Sequence, residues 1–525
     1  MNWDSVSVSR GLDEISAIRH PLLLEFKRLL DEFNNWSQPE RYYDIIAGDW
    51  LEHFAHLTYA AMVELSTTDL TAPSITRPIP VTADIRAYDH LLTQDSGLYE
   101  HLKEAVAYFL AGGAATDWRF SADSARIVTG GSRRLTEKVL RAFATKTPDV
   151  LLVDPYFKCS KVEYVGALWK WRNWAALDRL NYPISFLVSL DHRWRLKKAC
   201  AAFPASDFLE VLRTLLPLHL PVALLEGFMS YRKEVLDIPV NRPKILYSAN
   251  ALHGHLTFKL LAAEWCQAGT QLVYHQHGGS IGIDKVHAFE QFESRVADRY
   301  YTWGWRVEGN PKVRPLCPAQ LYSPKTRKKY LLLSCNDLPT QLYRIQFQPM
   351  DARVEILRQE TCVFLSVMSK SRDLLIRPYV KDYSGNFVNM MRKAAPNAEF
   401  DDRSAKSFVR FAQSRLVVHN YLGTGYLETL ALNVPTVCFY DPKAYAFRAE
   451  AQPFMDDLER VGILHRSGIE AARFVVGLAS DPLVWWLKPQ VQQARHSFIR
   501  NYANFSTDWK REWEMEFLHA IDDAH

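Results

Sequence analysis

Two histidines lie two residues apart in the middle of this chain, in the stretch VYHQHGG, where His275 and His277 precede Gly278 and Gly279. An imidazole titrates near neutral pH, so either ring could accept a proton from a hydroxyl nucleophile or stabilise a departing phosphate. On a β-strand both rings would project from one face near its carboxyl end, where open α/β sheets bind ligands. We therefore expect the histidines to be catalytic and the glycines to line the acceptor side. The alternative is that the stretch is only the end of a buried strand.

A second stretch, RLVVHNYLGTGYLETLAL, joins a strand pattern, a glycine-bearing turn and a helix pattern. The strand pattern ends at His419, the turn contains Gly423, Thr424 and Gly425, and Glu428 lies one turn inside the helix. Free backbone amides and the helix dipole favour an anion there, and glycine lets a phosphate approach closely. Glu428 could accept hydrogen bonds from a ribose. The stretch predicts nucleotide binding, unless its glycines only permit the turn.

Five further residues are candidates for the same site. Arg377 ends an apolar run, and its forked guanidinium could bind two phosphate or carboxylate oxygens; a surface ion pair is the alternative. Asn250 and His253 follow another strand pattern and could line the acceptor side, or simply close a turn. Asp49 could shape the acceptor site or cap a helix, and Glu290 could serve as a base or form an ion pair.

A metal site is the main chemical alternative. The HxH spacing recurs at His253 and His255, and Glu290 and Glu293 follow the first histidine pair, so these residues could supply ligands. The two glutamates are three apart in a predicted helix, where this spacing merely places them on one face. We expect polar contacts with the substrate and no metal ion.

The apolar pattern predicts the elements that position these residues. Buried strands are expected at residues 149–154, 184–190, 244–249, 270–276, 329–335, 373–379, 415–420 and 436–441. Each run is followed by a turn and a helix-like stretch, which is typical of parallel sheets covered on both faces. A proline-rich basic segment at 311–329 separates two α/β halves. We expect an N-terminal α/β domain with a helical first part over 1–320, a Rossmann-like nucleotide-binding domain over 321–484, and a helical segment over 485–525 that packs on the first domain.

Composition excludes several classes of protein. The chain has 525 residues, 48% hydrophobic, so it can bury ample core, and its formal net charge is only +4, which disfavours nucleic acid as a partner. Seven scattered cysteines without a CxxC pair and a charged N-terminus indicate a cytoplasmic protein. The most apolar run, residues 215–225, is too short to span a bilayer. A peripheral position at the inner face of the cytoplasmic membrane and the oligomeric state are left open.

Four stretches resemble a family of transferases from bacterial O-antigen biosynthesis clusters. They are IIAGDWLEHF at 45–54, the segment 275–305 from HQHGG to WGW, GTGYLETLALNVPTVCFYDP at 423–442, and VWW at 484–486. The glycine turn is similar to the nucleotide-binding turn of GT-B glycosyltransferases and UDP-sugar 2-epimerases, and the chain is distantly similar to CMP-Kdo transferases. The resemblance implies a GT-B fold, with two Rossmann-like domains facing across a cleft and C-terminal helices crossing back to the first domain.

The implied activity is transfer of a sugar from a nucleotide-sugar donor to a glycan or lipid-linked glycan acceptor, in surface polysaccharide or lipopolysaccharide O-antigen assembly. The donor is a substrate, so no cofactor and no metal ion are expected. A CMP-linked Kdo-like sugar is one candidate donor. Three other functions stay open: a UDP-sugar epimerase, a polyol-phosphate transferase with a CDP-linked donor, and a non-catalytic assembly protein.

Overall fold

The computed structural model describes most of the chain, with gaps. The described residues are 3–66, 76–94, 97–113, 118–129, 147–156, 174–177, 182–202, 207–319, 328–371, 373–478 and 481–523. The predicted domain boundary at 320–321 lies outside these residues.

The described residues contain eighteen α-helices. They are α1 Ser5–Asn34, α2 Glu40–Leu65, α3 Ile85–Gln94, α4 Gly97–Leu110, α5 His192–Ala201, α6 Phe208–His219, α7 Phe228–Leu236, α8 Leu256–Gln267, α9 Ala288–Val296, α10 Ala352–Met368, α11 Phe387–Ala394, α12 Ser407–Gln413, α13 Thr424–Ala431, α14 Gln452–Arg460, α15 Gly468–Gly477, α16 Pro482–Trp486, α17 Pro489–Tyr502 and α18 Trp509–Asp522. In this part of the chain, no helix is both long enough and apolar enough to cross a membrane.

Fourteen strands are described, and twelve of them form two parallel sheets. The strands are β1 Ser124–Val128, β2 Val150–Val153, β3 Trp174–Leu177, β4 Ser185–Ser189, β5 Ile245–Ser248, β6 Gln271–His275, β7 Arg299–Thr302, β8 Val313–Pro315, β9 Tyr330–Ser334, β10 Leu374–Arg377, β11 Glu399–Phe400, β12 Ser414–His419, β13 Thr436–Phe439 and β14 Leu464–His465. The first sheet has the order β3-β2-β5-β6-β7-β8 and the second β11-β10-β9-β12-β13-β14. The predicted α/β class with two Rossmann-like units is therefore confirmed.

The apolar runs form strands because both faces of each sheet are covered. All four residues of β2, β5 and β13 are buried, as continuous apolar runs require. One predicted run differs from this pattern. β4, in the run 184–190, pairs antiparallel with β1 in a separate two-stranded sheet, and its residues alternate between exposed and half-buried.

The last two helices attach to different halves of the molecule. α17 packs on α13 and α14 beside the second sheet. The aromatic side chains of α18, Trp513 and Phe517, instead pack with Tyr247 and Tyr301 of the first sheet. The predicted return of the C-terminal helices to the first domain thus takes place through α18, after Tyr502.

Helix α2 connects the site to the N-terminal layer. It lies against α1, α8 and α9, and residues 42–58 are buried without interruption. A helix buried on all sides must satisfy its polar side chains internally. Asp44 does so by accepting two hydrogen bonds from Arg295, at 2.6 and 3.0 Å, and Asp49 does so through an ion pair with Lys259.

Candidate active site

The strand orders place one topological switch point in each sheet. In the second sheet the strand order reverses between β9 and β12, so the loops after these two strands diverge and leave a crevice. In the first sheet the reversal lies between β2 and β5. Asp154 and Tyr156, just after β2, both have left-handed backbone conformations, with φ of 47° and 55°. Such strain in non-glycine residues is concentrated at functional sites.

The VYHQHGG stretch and the glycine turn before α13 contact each other. A Cβ built on Gly279 would lie 2.6 Å from the carbonyl carbon and oxygen of Gly423 and 2.7 Å from the nitrogen of Thr424. The loop after β6 therefore touches the turn before α13, main chain against main chain. Asp284 and Phe447 form an antiparallel bridge nearby, so the two halves are joined beside this contact.

The paired histidines do not act on one surface, which corrects the prediction for His275. Strand β6 ends at His275, whose ring is buried, with Nδ1 2.9 Å from the Tyr247 hydroxyl and Nε2 3.1 Å from the Leu316 carbonyl oxygen. Burial lowers the pKa of His275 to about 3. The ring packs against Trp513 of α18, so His275 stabilises the first domain. His277 lies beyond the strand end, where strand alternation no longer applies.

His277 belongs to a cluster with His253 and Glu293. Glu293 Oε1 lies 2.5 Å from His253 Nε2 and 3.5 Å from His277 Nδ1, and Oε2 accepts a 2.9 Å hydrogen bond from the Tyr300 hydroxyl. Burial raises the pKa of Glu293 well above its usual range and lowers that of His253. Both shifts have the same cause, because burial disfavours the charged form of each group. The side chain of His277 keeps 17% exposure, and the ring of Tyr156 lies 6.2 Å away.

The same three residues could also bind a metal ion. One ligand atom from each of His253, His277 and Glu293 lies within 4.8 Å of the other two. Two histidines and one glutamate are a ligand set that zinc accepts. The cluster therefore offers two kinds of chemistry, a hydrogen-bonded histidine or a metal site, and the chelation experiment described below distinguishes them.

Glu290 and Asp49 have other roles than the predicted catalytic ones. The Glu290 carboxylate accepts hydrogen bonds from the Gly282 amide at 2.8 Å and from Arg448 Nη2 at 2.7 and 3.0 Å. Because Arg448 lies in the second half, this pair ties the two halves together. Asp49 is ion-paired to the fully buried Lys259 and also accepts from the Trp50 amide. Both carboxylates are already bound to cations, so neither is placed to accept a substrate proton.

The glycine turn before α13 has the geometry of an anion site. Gly423 is the N-cap of α13 and provides no side-chain hydrogen bond to the first amides of the helix. A Cβ on Gly425 would approach His419 Cε1 to 2.9 Å, so this position needs glycine. His419 lies beneath the turn with Nε2 3.2 Å from Thr429 Oγ1, and burial lowers its pKa to about 3. His419 therefore supports the turn, which corrects its predicted role as a direct nucleotide contact.

Two other predicted contacts also have structural partners. Arg377 is ion-paired with Asp401, whose side chain is fully buried and also binds Arg410. The guanidinium that was predicted to bind phosphate therefore already has a carboxylate partner. Asn250 lies in the turn after β5, where its amide donates to Ser248 Oγ and its carbonyl accepts from the His253 amide. Its backbone therefore helps position His253.

Sequence reasoning did not predict the positions of two side chains, one at the centre of the cluster and one close to it. Glu293 was considered only as a metal ligand, although a buried glutamate on the inner face of α9 is the central member of the cluster. Arg344 comes from the loop after β9, which has no apolar period. Its Cζ lies 3.8 Å from the ring centroid of Phe289, and the same ring is 4.0 Å from His253.

Comparisons with known proteins give a family and several similar folds. A family model described as LIC12162 family transferase matches residues 2–517. No curated protein matches the chain. Among solved structures, it is similar to Anabaena Alr3699/HepE in complex with UDP and glucose, with 11% identity, 71% of this chain and 100% of that chain covered, and a TM-score of 0.38. It is similar to the Thermobaculum terrenum O-GlcNAc transferase, with 12% identity, 100% and 99% covered, and a TM-score of 0.34. For S. aureus TarM the identity is 14%, the covered shares are 56% of this chain and 59% of that chain, and the TM-score is 0.34.

Proposed function

The chain belongs to the LIC12162 family of transferases, and we propose that it is a glycosyltransferase that uses a nucleotide-sugar donor. The donor nucleotide binds the second half at the turn before α13, and the acceptor hydroxyl approaches from the first half beside His277. The observation that carries this proposal is the main-chain contact between Gly279 and Gly423, which brings the ligand-binding edges of both sheets together.

The second half binds the nucleotide through its backbone. The amides that open α13 point their partial positive charge at the phosphates, and no side-chain cap competes with a phosphate there. Glu428, one turn further on and 8% exposed, accepts hydrogen bonds from the ribose hydroxyls. When the donor bond breaks, the charge that develops on the phosphate is stabilised by donors that are already in position.

The first half activates the acceptor. The hydroxyl oxygen attacks the anomeric carbon of the sugar, its proton passes to His277, and the bond from that carbon to the phosphate oxygen breaks, with the electron pair leaving on the nucleotide. A correctly placed general base contributes about 10² to 10⁴ in rate. Glu293 Oε1 lies 3.5 Å from His277 Nδ1, close enough to orient the ring when the acceptor binds, and Tyr300 and His253 fix the carboxyl in turn.

The finer assignments rest on the sequence resemblance. The resemblance of segments 275–305 and 423–442 to O-antigen transferases favours an acceptor in surface polysaccharide or lipopolysaccharide O-antigen assembly. The distant similarity of the chain to CMP-Kdo transferases favours a donor such as a CMP-linked Kdo-like sugar. We propose a place at the cytoplasmic face of the membrane and no nucleic-acid partner. We also propose that transfer is independent of metal ions, because Glu293 is already engaged by His253 and Tyr300.

Calorimetric titration with CMP, UDP, GDP and dTDP tests the proposal, followed by incubation of the binding nucleotide's sugar conjugates with and without glycan acceptors. Binding of one nucleotide and acceptor-dependent release of that nucleotide are the expected results. Binding of none would overturn the proposal and favour a non-catalytic assembly protein. Conversion of a UDP-sugar without acceptor would assign an epimerase, and consumption of a CDP-linked polyol would assign a polyol-phosphate transferase.

Chelation distinguishes a metal-free histidine base from a metal site in the cluster of His253, His277 and Glu293. We expect the transfer rate to be unchanged after EDTA treatment and dialysis. Loss of turnover that added Zn²⁺ restores would contradict metal independence and would assign His253, His277 and Glu293 as the ligands. The variant Glu293→Gln adds a second comparison. Its side chain has the same shape as glutamate and can still form hydrogen bonds, but it is a weaker metal ligand.

A further inference from the structure

Arg344 places a positive charge where the second half contacts Phe289 of the first half. It lies in the loop that follows β9, the strand that flanks the crevice opposite β12. Its Cζ stacks 3.8 Å above the ring centroid of Phe289 in the first half, and Nε donates a 2.6 Å hydrogen bond to Gln346 Oε1. Nη1 is buried and has no acceptor among the described residues.

Three other arginines of the second half have carboxylate partners. Arg448 binds Glu290, Arg353 binds Asp441 and Arg358 binds Asp337, with the closest contacts between 2.6 and 2.9 Å.

Within the part of the chain that the structure describes, no carboxylate oxygen forms an ion pair with Arg344. A guanidinium nitrogen that is buried without a hydrogen-bond acceptor is costly to fold, so such groups persist where a ligand supplies the acceptor.

Other polar side chains lie around Phe289, the ring on which Arg344 stacks. The rings of His253 and His287 lie 4.0 and 5.9 Å from its centroid. Burial raises the pKa of Asp284 well above the usual range and so disfavours its charged form. The same burial lowers the pKa of Arg344 itself, but a guanidinium stays charged at any physiological pH.

We propose that Arg344 binds an oxyanion of the substrate, either a phosphate of the nucleotide or a carboxylate of the transferred sugar. The inference rests on the proposed function and extends it, because it assigns the residue that recognises the negative charge. The loop after β9 and the turn after β12 border one crevice, so the guanidinium and the amides opening α13 approach the same ligand from two sides. A forked guanidinium binds two oxygens at once, which suits both candidate groups.

The test is titration of the full-length protein with separate probes for the two sources of charge. Inorganic pyrophosphate, CMP and UDP probe the phosphate, and N-acetylneuraminate, a free sugar acid, probes the carboxylate. We expect the wild type to bind at least one probe and Arg344→Gln to bind it about tenfold to a hundredfold more weakly, as loss of a charge-assisted hydrogen bond predicts. Arg344→Lys keeps the charge but not the fork and should fall between them.

Arg195→Gln is the matched control. Its guanidinium is buried within the first half and already has Glu226 as a partner, at 2.6 Å. We expect this variant to unfold at a lower temperature while probe affinity stays within about threefold of the wild type. Arg344→Gln should show the opposite pattern, with weaker binding and no loss of thermal stability.

The outcomes separate this inference from the proposed function. If the wild type binds a nucleotide and both Arg344 variants bind it equally well, the oxyanion assignment is wrong and the glycosyltransferase proposal stands. If the wild type binds none of the probes, both fail. If Arg344→Gln lowers the unfolding temperature as much as Arg195→Gln does, the guanidinium has a structural partner and the argument from a buried nitrogen without an acceptor fails.

Discussion

The contact between Gly279 and the turn before α13 predicts a large effect of a single methyl group. The Cβ of Gly279→Ala would lie 2.6 Å from Gly423 backbone atoms, whereas ordinary contacts begin near 3.4 Å, so the two loops must separate by about 0.8 Å. The atoms in the way are main chain and cannot rotate aside. Because a misplacement near 1 Å costs about 100-fold in rate, we expect kcat/KM to fall by about that factor, or about 2.7 kcal/mol.

Gly278→Ala is the matched control for this prediction. The nearest atom to its Cβ would be Ile281 Cδ1, at an ordinary 3.8 Å. We expect this variant to keep kcat/KM within about threefold of the wild type and to unfold at the same temperature. Gly279→Ala should lose about 1–3 kcal/mol of stability from overpacking. Wild-type kcat/KM and stability in Gly279→Ala would refute the contact between the two halves.

Three further predictions concern single side chains. Glu428→Ala should weaken nucleotide binding about tenfold in calorimetry with unchanged circular dichroism, and unchanged affinity would remove the ribose contact. His277→Asn should lower kcat at least about 100-fold with little change in melting temperature, whereas His275→Asn should mainly lower stability, by about 1–3 kcal/mol; the reverse result would exchange their roles. Burial lowers the pKa of His219 well below its usual range. The contribution of the neutral ring to the free energy of unfolding is therefore fully present above about pH 6.5 and is lost as the pH falls further. His219→Phe should therefore flatten the decline of melting temperature below that pH, and a slope equal to that of the wild type would contradict the assignment.

Features that depend on the local pattern of residues could be predicted from the sequence. β6 and β12 were expected as apolar runs that end in polar turns, and the structure contains both strands in parallel sheets. The glycine turn after β12 was expected to open a helix, and α13 begins at Thr424. Such features follow from neighbouring residues and are therefore readable without tertiary information.

Side-chain partners depend on residues far away in the chain, and these were not predictable. Arg377 ends its strand as expected, but Asp401, 24 residues later, neutralises it. Glu290 was a candidate base with an ion pair as the alternative, and its partner in that ion pair, Arg448, is 158 residues away. Arg344, in contrast, was not a candidate from the sequence, because its loop has no periodic pattern. Only its packing on Phe289 shows where the side chain lies.

The central claim is that the loop after β6 and the turn before α13 form one ligand site. Hydrogen–deuterium exchange of the full-length protein, with and without a saturating concentration of whichever nucleotide binds, tests it most directly. We expect peptides covering residues 275–282 and 420–428 to gain protection together when the nucleotide is added. Protection confined to peptides elsewhere, with both of these segments exchanging as in the free protein, would contradict the claim.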